Sequence, residues 1–298
     1  MIRREVVPSA KSESSHELLD LTGITLPRPP VVKQRVITPH TSVEQLSGAA
    51  RVSGVILERI DFSRAHLPDV RFVDCSLIDC VFEGADLRGC GFWNCLISGC
   101  SFRKANLRDA ALGPTKDRRS NRFEQVDFSF ADLRNTIYVS AVFNSCTFRQ
   151  SKLNKVDFEG SSFANCVFEG LLEEVAFARE SLGESDLPPN EMLNVDFSRA
   201  ELLWVSFRGL NLENVTFPMD DKHIILEDYP KKLGLLINFL KKRSDGPSKA
   251  YANVLQEDRK RMGPKQRRGI LNEREILESG GGPEFLESVL SFLQSIAL

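Results

Sequence analysis

Cysteine is the residue type with which this chain most invites a chemical reading. Five of its seven cysteines, Cys75, Cys80, Cys90, Cys95 and Cys100, fall on one beat of five in CSLIDCVFEGADLRGCGFWNCLISGCSF, residues 75–102. Clustered thiols could bind zinc or pair as disulfides. Neither use fits. CxxxxC is not a usual zinc spacing, and thiols repeating on one side of a stack do not surround an ion tetrahedrally. Seven is an odd number, and the start, MIRREVVPSAKSESS, lacks the apolar core of an export signal, so reduced thiols and a cytoplasmic location are expected. His16, His40, His66 and His223 are scattered, and no phosphate loop, GxSxG or HExxH occurs. We therefore expect no enzyme, no metal and no cofactor. The spacing must come from the backbone itself.

A Leu, Phe or Ile recurs every fifth residue from Leu57 through Phe62, Leu67, Phe72, Leu77, Phe82, Leu87, Phe92, Ile97, Phe102 and Leu107 to Leu112. A second run goes from Phe123 to Phe168, and a third, starting one residue early, from Leu172 to Phe217. Five matches neither the helical period of about 3.6 nor the strand period of about 2. A repeating turn accounts for it. In the first run a small or apolar residue stands two positions before each centre, and two positions after the centres from Phe62 to Leu107 come Asp69, Asp74, Asp79, Gly84, Gly89, Asn94, Gly99 and Asp109, with Arg64 and Lys104 as exceptions. These tolerate the positive φ of the third residue of a type II turn. Each unit then turns one corner with a large and a small side chain inward, and four units close a coil of about twenty residues stacked at strand spacing, ~4.8 Å. Phe62, Phe82 and Phe102 fall on one wall, Phe72 and Phe92 on the opposite wall. All seven cysteines, Cys146 and Cys166 included, occupy the small inward slot, which assigns them to packing. Asp61, Asp86, Asp127, Asp132, Asp157 and Asp196 each precede a centre and read as turn-stabilising residues.

IDFSRAHLPDVRF, FEGADLRGC, FRKANLRDAAL, VDFSFADL and VDFSRAELLWVSF resemble the A(D/N)LXX units of the pentapeptide repeat family over about residues 53–218. The resemblance implies an all-β solenoid, a right-handed quadrilateral β-helix. It also brings to mind the quinolone-resistance proteins that protect DNA gyrase with a DNA-like acidic rod, so gyrase is one partner it suggests. Fold by itself does not carry function.

Two interruptions break the beat. GPTKDRRSNR, residues 113–122, is expected as a basic loop carrying Lys116, Arg118, Arg119 and Arg122. ARESLGESDLPPNEMLN, residues 178–194, is acidic and puts Glu180, Ser185 and Asn190 where small apolar residues belong, so a loosened coil and a protruding loop are both open. Loops on a rigid scaffold are where binding residues concentrate. Residues 1–50, rich in Ser and Pro, read as an extended or disordered arm, with a short helix around HELLDL and a capping helix over TSVEQLSGAA, 41–50. From 219 to 298 helical spacing takes over, giving an α-helical C-terminal domain whose last helix could form a homodimer contact.

Outward slots that should face water hold Val73, Trp93, Ile78, Val81, Leu96, Ile137, Val139, Leu203 and Trp204. Such patches call for a cover, either the chain's own ends or a partner anchored on Trp93. Net charge is −2 over the 298 residues, and residues 51–218 hold 24 acids against 19 bases, less one-sided than DNA mimicry asks. Arg259, Lys260, Arg261, Lys265, Arg267 and Arg268 cluster in the tail and could touch nucleic acid, a membrane surface or an acidic partner. The reading that follows is a non-enzymatic interaction scaffold whose protein partner is unknown. Gyrase binding and a basic-tail interaction are its alternatives.

Overall fold

A computed structural model describes residues 19–25, 32–37, 42–47, 50–113, 120–138, 140–180, 188–263 and 266–296. The five-residue beat becomes a parallel β-solenoid. Leu57 pairs in register with Leu77, and Leu77 with Ile97, so the chain returns to the same wall after twenty residues. Between those returns it passes three further ladders, through Asp61 and Val81, His66 and Asp86, and Arg71 and Gly91. We call the walls A, B, C and D after the centres Leu57, Phe62, Leu67 and Phe72. The rings stack as the spacing requires: Phe62 on Phe82 at 4.9 Å, Phe82 on Phe102 at 4.8 Å, and across the column Phe72 on Phe92 at 4.8 Å.

The corners differ in a way the pentad alone does not disclose. After walls B and C the chain makes hydrogen-bonded four-residue turns, such as Ala65 N–H to Phe62 C=O and Cys90 N–H to Leu87 C=O, with Arg64 at φ 56° and Gly89 at φ 63°. Walls A and D instead carry three-residue strands, including Ser76–Ile78 and Leu96–Ser98 on A and Arg71–Val73 and Gly91–Trp93 on D. Their corner residues Asp74, Asp79 and Asn94 still take φ of 52–53°. In these first coils two walls are therefore flat ribbons and two are turned, whereas farther on wall B also carries strands, Thr147–Arg149 and Val167–Glu173. The aspartates preceding the centres work locally: Asp61 and Asp127 each accept a backbone N–H two residues on, from Ser63 and Ser129 at 2.8 Å. Asp157 departs from that pattern and pairs with Arg208 at 3.0 Å.

All seven cysteines are free and buried. Their slot does more than fill space. The thiols of Cys80, Cys100 and Cys146 point at the carbonyls of Leu57, Leu77 and Phe123, wall centres one coil back, at 3.3, 3.4 and 3.3 Å, and Ser151 uses its hydroxyl the same way on Phe128 at 2.8 Å. The inward slot thus accepts a small side chain with a donor as well as the alanines and valines that fill it elsewhere, such as Ala85 and Val126. Burial pushes the Cys90 thiol up to about 12, which suppresses the reactive thiolate. Because all seven thiols are buried, alkylation of the native protein at pH 8 should be slow, and slowest at Cys90. Cys75 and Cys95, which line an opening described below, should be modified first when peptides are followed by mass spectrometry.

Both interruptions are insertions, and both are closed by a buried asparagine. Ile97 pairs with Phe123 and Ala164 with Leu193, so the coils containing the breaks span 26 and 29 residues. In the second segment Leu182 and Leu187 lie outside the described residues. Asn121 fills the small inward slot before Phe123; its Oδ1 accepts the Cys95 N–H at 2.9 Å and its Nδ2 donates to Phe92 C=O at 2.7 Å. Asn190 does the equivalent before Met192, accepting from Phe163 N–H at 3.2 Å and Met192 N–H at 3.0 Å. The side-chain amide supplies the peptide-like partners that a departing chain removes.

The N-terminal expectation needs correction at two points. Leu19–Asp20 is a strand parallel to Ile60–Asp61, and Thr25 bridges His66, so LDLTGIT forms a partial coil beneath the first full one instead of a helix. Leu21 and Ile24 pack on the solenoid core there, and Asp20 accepts the Thr22 N–H as a repeat aspartate does. Ser42–Ser47, expected as a capping helix, is a strand antiparallel to Val32–Ile37. A six-residue segment is too short to hold a helix alone, whereas a neighbouring strand satisfies its backbone.

The tail holds helices α1 (Tyr229–Lys241), α2 (Gly246–Lys260), α3 (Glu273–Ile276) and α4 (Gly282–Ser295). It also contains an unexpected antiparallel pair, His223–Glu227 with Arg268–Asn272. A second core forms here from Leu233, Leu236, Ile237, Leu240, Tyr251 and α4's Phe285, Val289 and Leu293, so the apolar face of the last helix is used within the chain. Among the described residues no helix is long and apolar enough to cross a membrane.

Candidate interaction surface

Residues chosen one by one in the sequence converge on one corner. Ile78 and Leu96 sit on wall A, Val73 and Trp93 on wall D, and the chain turns between those walls at Asp74 and Asn94, whose side chains hydrogen-bond. The first insertion leaves and rejoins the coil at this corner, between Gly113 and Ser120. Lys116, Arg118 and Arg119 lie outside the described residues. Arg122 is not in a loop: it stands on wall A beside Leu96 and pairs with Glu124 at 3.2 Å. A cavity of about 510 Å³ opens there, lined by Asp74, Cys75, Ser76, Asn94, Cys95, Leu96, Ser120 and Arg122.

Trp93 does not project as a peg. Its indole folds flat over Gly91, where a Cβ would come within 2.1 Å of the ring, and the Arg71 guanidinium lies over it at 5.3 Å. Gly91 is therefore required by the close approach of its neighbour's ring. The result is a half-buried platform of aromatic and guanidinium surface beside Val73. Around the corner, wall A presents a six-stranded parallel sheet from Ile56–Glu58 to Ser162–Ala164. Its outward residues are Ile56, Ser76, Ile78, Leu96, Ser98, Val142, Asn144, Ser162 and Ala164, with Glu58 and the Arg122–Glu124 pair the charged members. Parallel sheets are ordinarily covered on both faces. Ile56 here is 68% exposed, and Ile78 and Leu96 are half-buried.

Trp204 belongs to a different place. It sits at a corner with φ 54°, its indole N–H donates to Glu278 at 3.1 Å and its backbone N–H to Glu275, both from the tail. Leu203 beside it is fully buried. This patch is covered by the chain's own C-terminal region. The cover uses side chains in place of a next coil. Leu202 N–H donates to His223 Nε2 at 3.0 Å, Leu202 C=O accepts from Asn272 Nδ2 at 2.9 Å, and Leu212 C=O accepts from Arg268 at 3.1 Å. His223 is held as the Nδ1–H tautomer by Asp220 at 2.7 Å, which leaves Nε2 free to accept. Sequence reading missed this clasp because its partners come from as far as 74 residues away. It also splits the basic run: Arg268 is committed to the clasp and to Glu227 at 2.9 Å, and Lys260 to Glu257.

Among the described residues no group of His, Cys, Asp and Glu could hold a metal ion. The sequence matches the family described as Pentapeptide repeats, in eight copies over residues 56–94, 85–113 and 141–171. The repeat segment belongs to the pentapeptide repeat family. No curated protein sequence matches the chain. Solved structures that resemble it include trypsin-treated QnrB1, a plasmid-mediated fluoroquinolone resistance protein, at 14% identity and TM-score 0.31, covering 65% of this chain and 92% of that one. HetL, a pentapeptide repeat protein involved in heterocyst differentiation regulation from the cyanobacterium Nostoc sp. strain PCC 7120, follows at 14% identity and TM-score 0.29, with 68% and 91% covered.

Proposed function

We propose that this protein is a non-enzymatic scaffold that docks a protein partner on the corner between walls A and D. In this reading residues 51–218 form a right-handed quadrilateral β-helix in a reducing, cytoplasmic compartment, with residues 1–50 as an arm and 219–298 as a capping domain. The observation that carries it is the charge-poor face of wall A, where only Glu58 and the paired Arg122 and Glu124 are charged. Depletion of charge at the centre with an aromatic and an arginine at the edge is the composition of an interface core and its anchor. Trp93 with Arg71 would supply the anchor, Ile78, Leu96 and Val73 the apolar contact, and the cavity beside Asn94 a recess for one partner side chain. A rigid platform costs little ordering entropy on binding. A gyrase-directed DNA mimic has less support, because a mimic needs a one-sided acidic wall and the charges on walls B and C are mostly paired within the rod.

The test is capture from a lysate of the source organism with wild type and with Ile78→Asp/Leu96→Asp, using far-UV circular dichroism and urea unfolding to establish that the variant is folded. A partner held by wild type should be lost by at least tenfold, since two buried apolar contacts at about 1–3 kcal/mol each are replaced by unpaired charge. Equal capture by both proteins would overturn the assignment of this corner.

A further inference from the structure

The clasp that ends the solenoid contains a carboxylate where a backbone carbonyl would stand if the coils continued. Glu275 reaches from α3 to accept the Trp204 N–H, and it is half-buried there. Its surroundings are acidic and aromatic. From α2 come Asp258 and the buried Tyr251, from α1 the buried Tyr229, and from its own segment Glu278. Asp258 accepts from Tyr229 Oη at 3.1 Å and faces Ser206 of the last coil at 3.5 Å. The nearby cations are engaged elsewhere: Arg208 pairs with Asp157 at 3.0 Å, and Arg274 with Glu278 at 2.8 Å and Glu201 at 3.7 Å. Arg261 acts on Asp157 and Asp258. On the hairpin side stand neutral Asn272 and His223 with its partner Asp220.

We propose that the helical tail is a proton-controlled cap, held on the last coils while Glu275 is protonated and released from the end of the solenoid when Glu275 ionises. Ionisation places a second negative charge beside Asp258, where the described arginines Arg208 and Arg274 already pair with other carboxylates, whereas the protonated acid keeps one oxygen to accept from Trp204. Burial, then the neighbouring Asp258 and Glu278, push Glu275 up to about 7 from 4.5, against the hydrogen bond from Trp204. Burial also raises Asp258 and Asp157. A group raised on docking stabilises the docked state fully below its undocked value and loses that contribution as pH climbs through the docked one. The cap is thus firm below about 4.5 and loosens through about 7, a span equivalent to roughly a 300-fold change in the docking equilibrium. Release would bare the edge strands Ser206–Arg208 and Val215–Thr216 and leave the Leu202 and Leu212 backbone groups without their side-chain partners.

Trp204 reports the event directly, since the chain has two tryptophans and Trp93→Phe leaves it alone. Emission of Trp93→Phe, recorded from pH 5 to 8.5, is expected to move to longer wavelength with a midpoint near 7, while far-UV circular dichroism stays constant and so separates lifting from melting. Glu275→Gln, neutral at every pH, should abolish the shift. Asp258→Asn should lower its midpoint by easing ionisation of Glu275, and it serves as the deciding variant if Glu275→Gln does not fold. An emission maximum independent of pH, or a midpoint unmoved by both substitutions, would overturn the proposal.

Discussion

Replacing Phe102 by alanine should destabilise the solenoid by about 3–5 kcal/mol, the largest loss expected from a single side chain here. Phe102 is 1% exposed, stacks on Phe82 at 4.8 Å and on Phe128 at 5.4 Å, and meets Phe92 edge-on at 6.3 Å. It also occupies the coil just before the first insertion, so its ring continues the wall B column across the break. A coil contacts only its two neighbours, which leaves no third layer to collapse into the cavity. Urea unfolding followed by circular dichroism measures the loss. Ser101→Ala, one residue away and outward, should change stability by less than about 0.5 kcal/mol. A loss below about 1 kcal/mol for Phe102→Ala would contradict a packed column.

The second large effect is expected at Asn121. Alanine there leaves the Cys95 N–H and the Phe92 C=O without partners in a site that is fully buried, and an unsatisfied buried group costs about 1–3 kcal/mol. A total of roughly 2–5 kcal/mol follows, comparable to the phenylalanine although no large apolar group is lost. Asn121→Asp separates amide chemistry from shape. It keeps the acceptor for Cys95, removes the donor to Phe92 and buries a charge, so it should be no better than alanine at pH 7 and should recover as the pH falls. Asn190 predicts the same pattern for the second insertion. If Asn121→Ala unfolds at the wild-type urea midpoint, side-chain amides are not what closes the coil at its breaks.

What the sequence by itself determined is the body of this protein. In a solenoid the contacts that matter join residues twenty apart, so the packing partner of Phe82 can be counted from the chain, and period, wall assignment and the inward placement of all seven cysteines are legible for that reason. Asn190 was visible as an exception in the small slot and Asn121 was not singled out, and the role of neither could be read, since it depends on which backbone groups the departing chain strands. The flatness of Trp93 could not be read either, because it follows from the absence of a Cβ at Gly91 and the reach of Arg71 from the coil before. Only the tertiary structure decided how the rod ends. The partial coil of residues 19–25, the His223 and Asn272 contacts to Leu202 and the Glu275 contact to Trp204 join segments at separations set by no repeat. A periodic sequence specifies its own continuation but carries no local signal for stopping, and the groups that satisfy the last coil must come from wherever the remaining chain folds back.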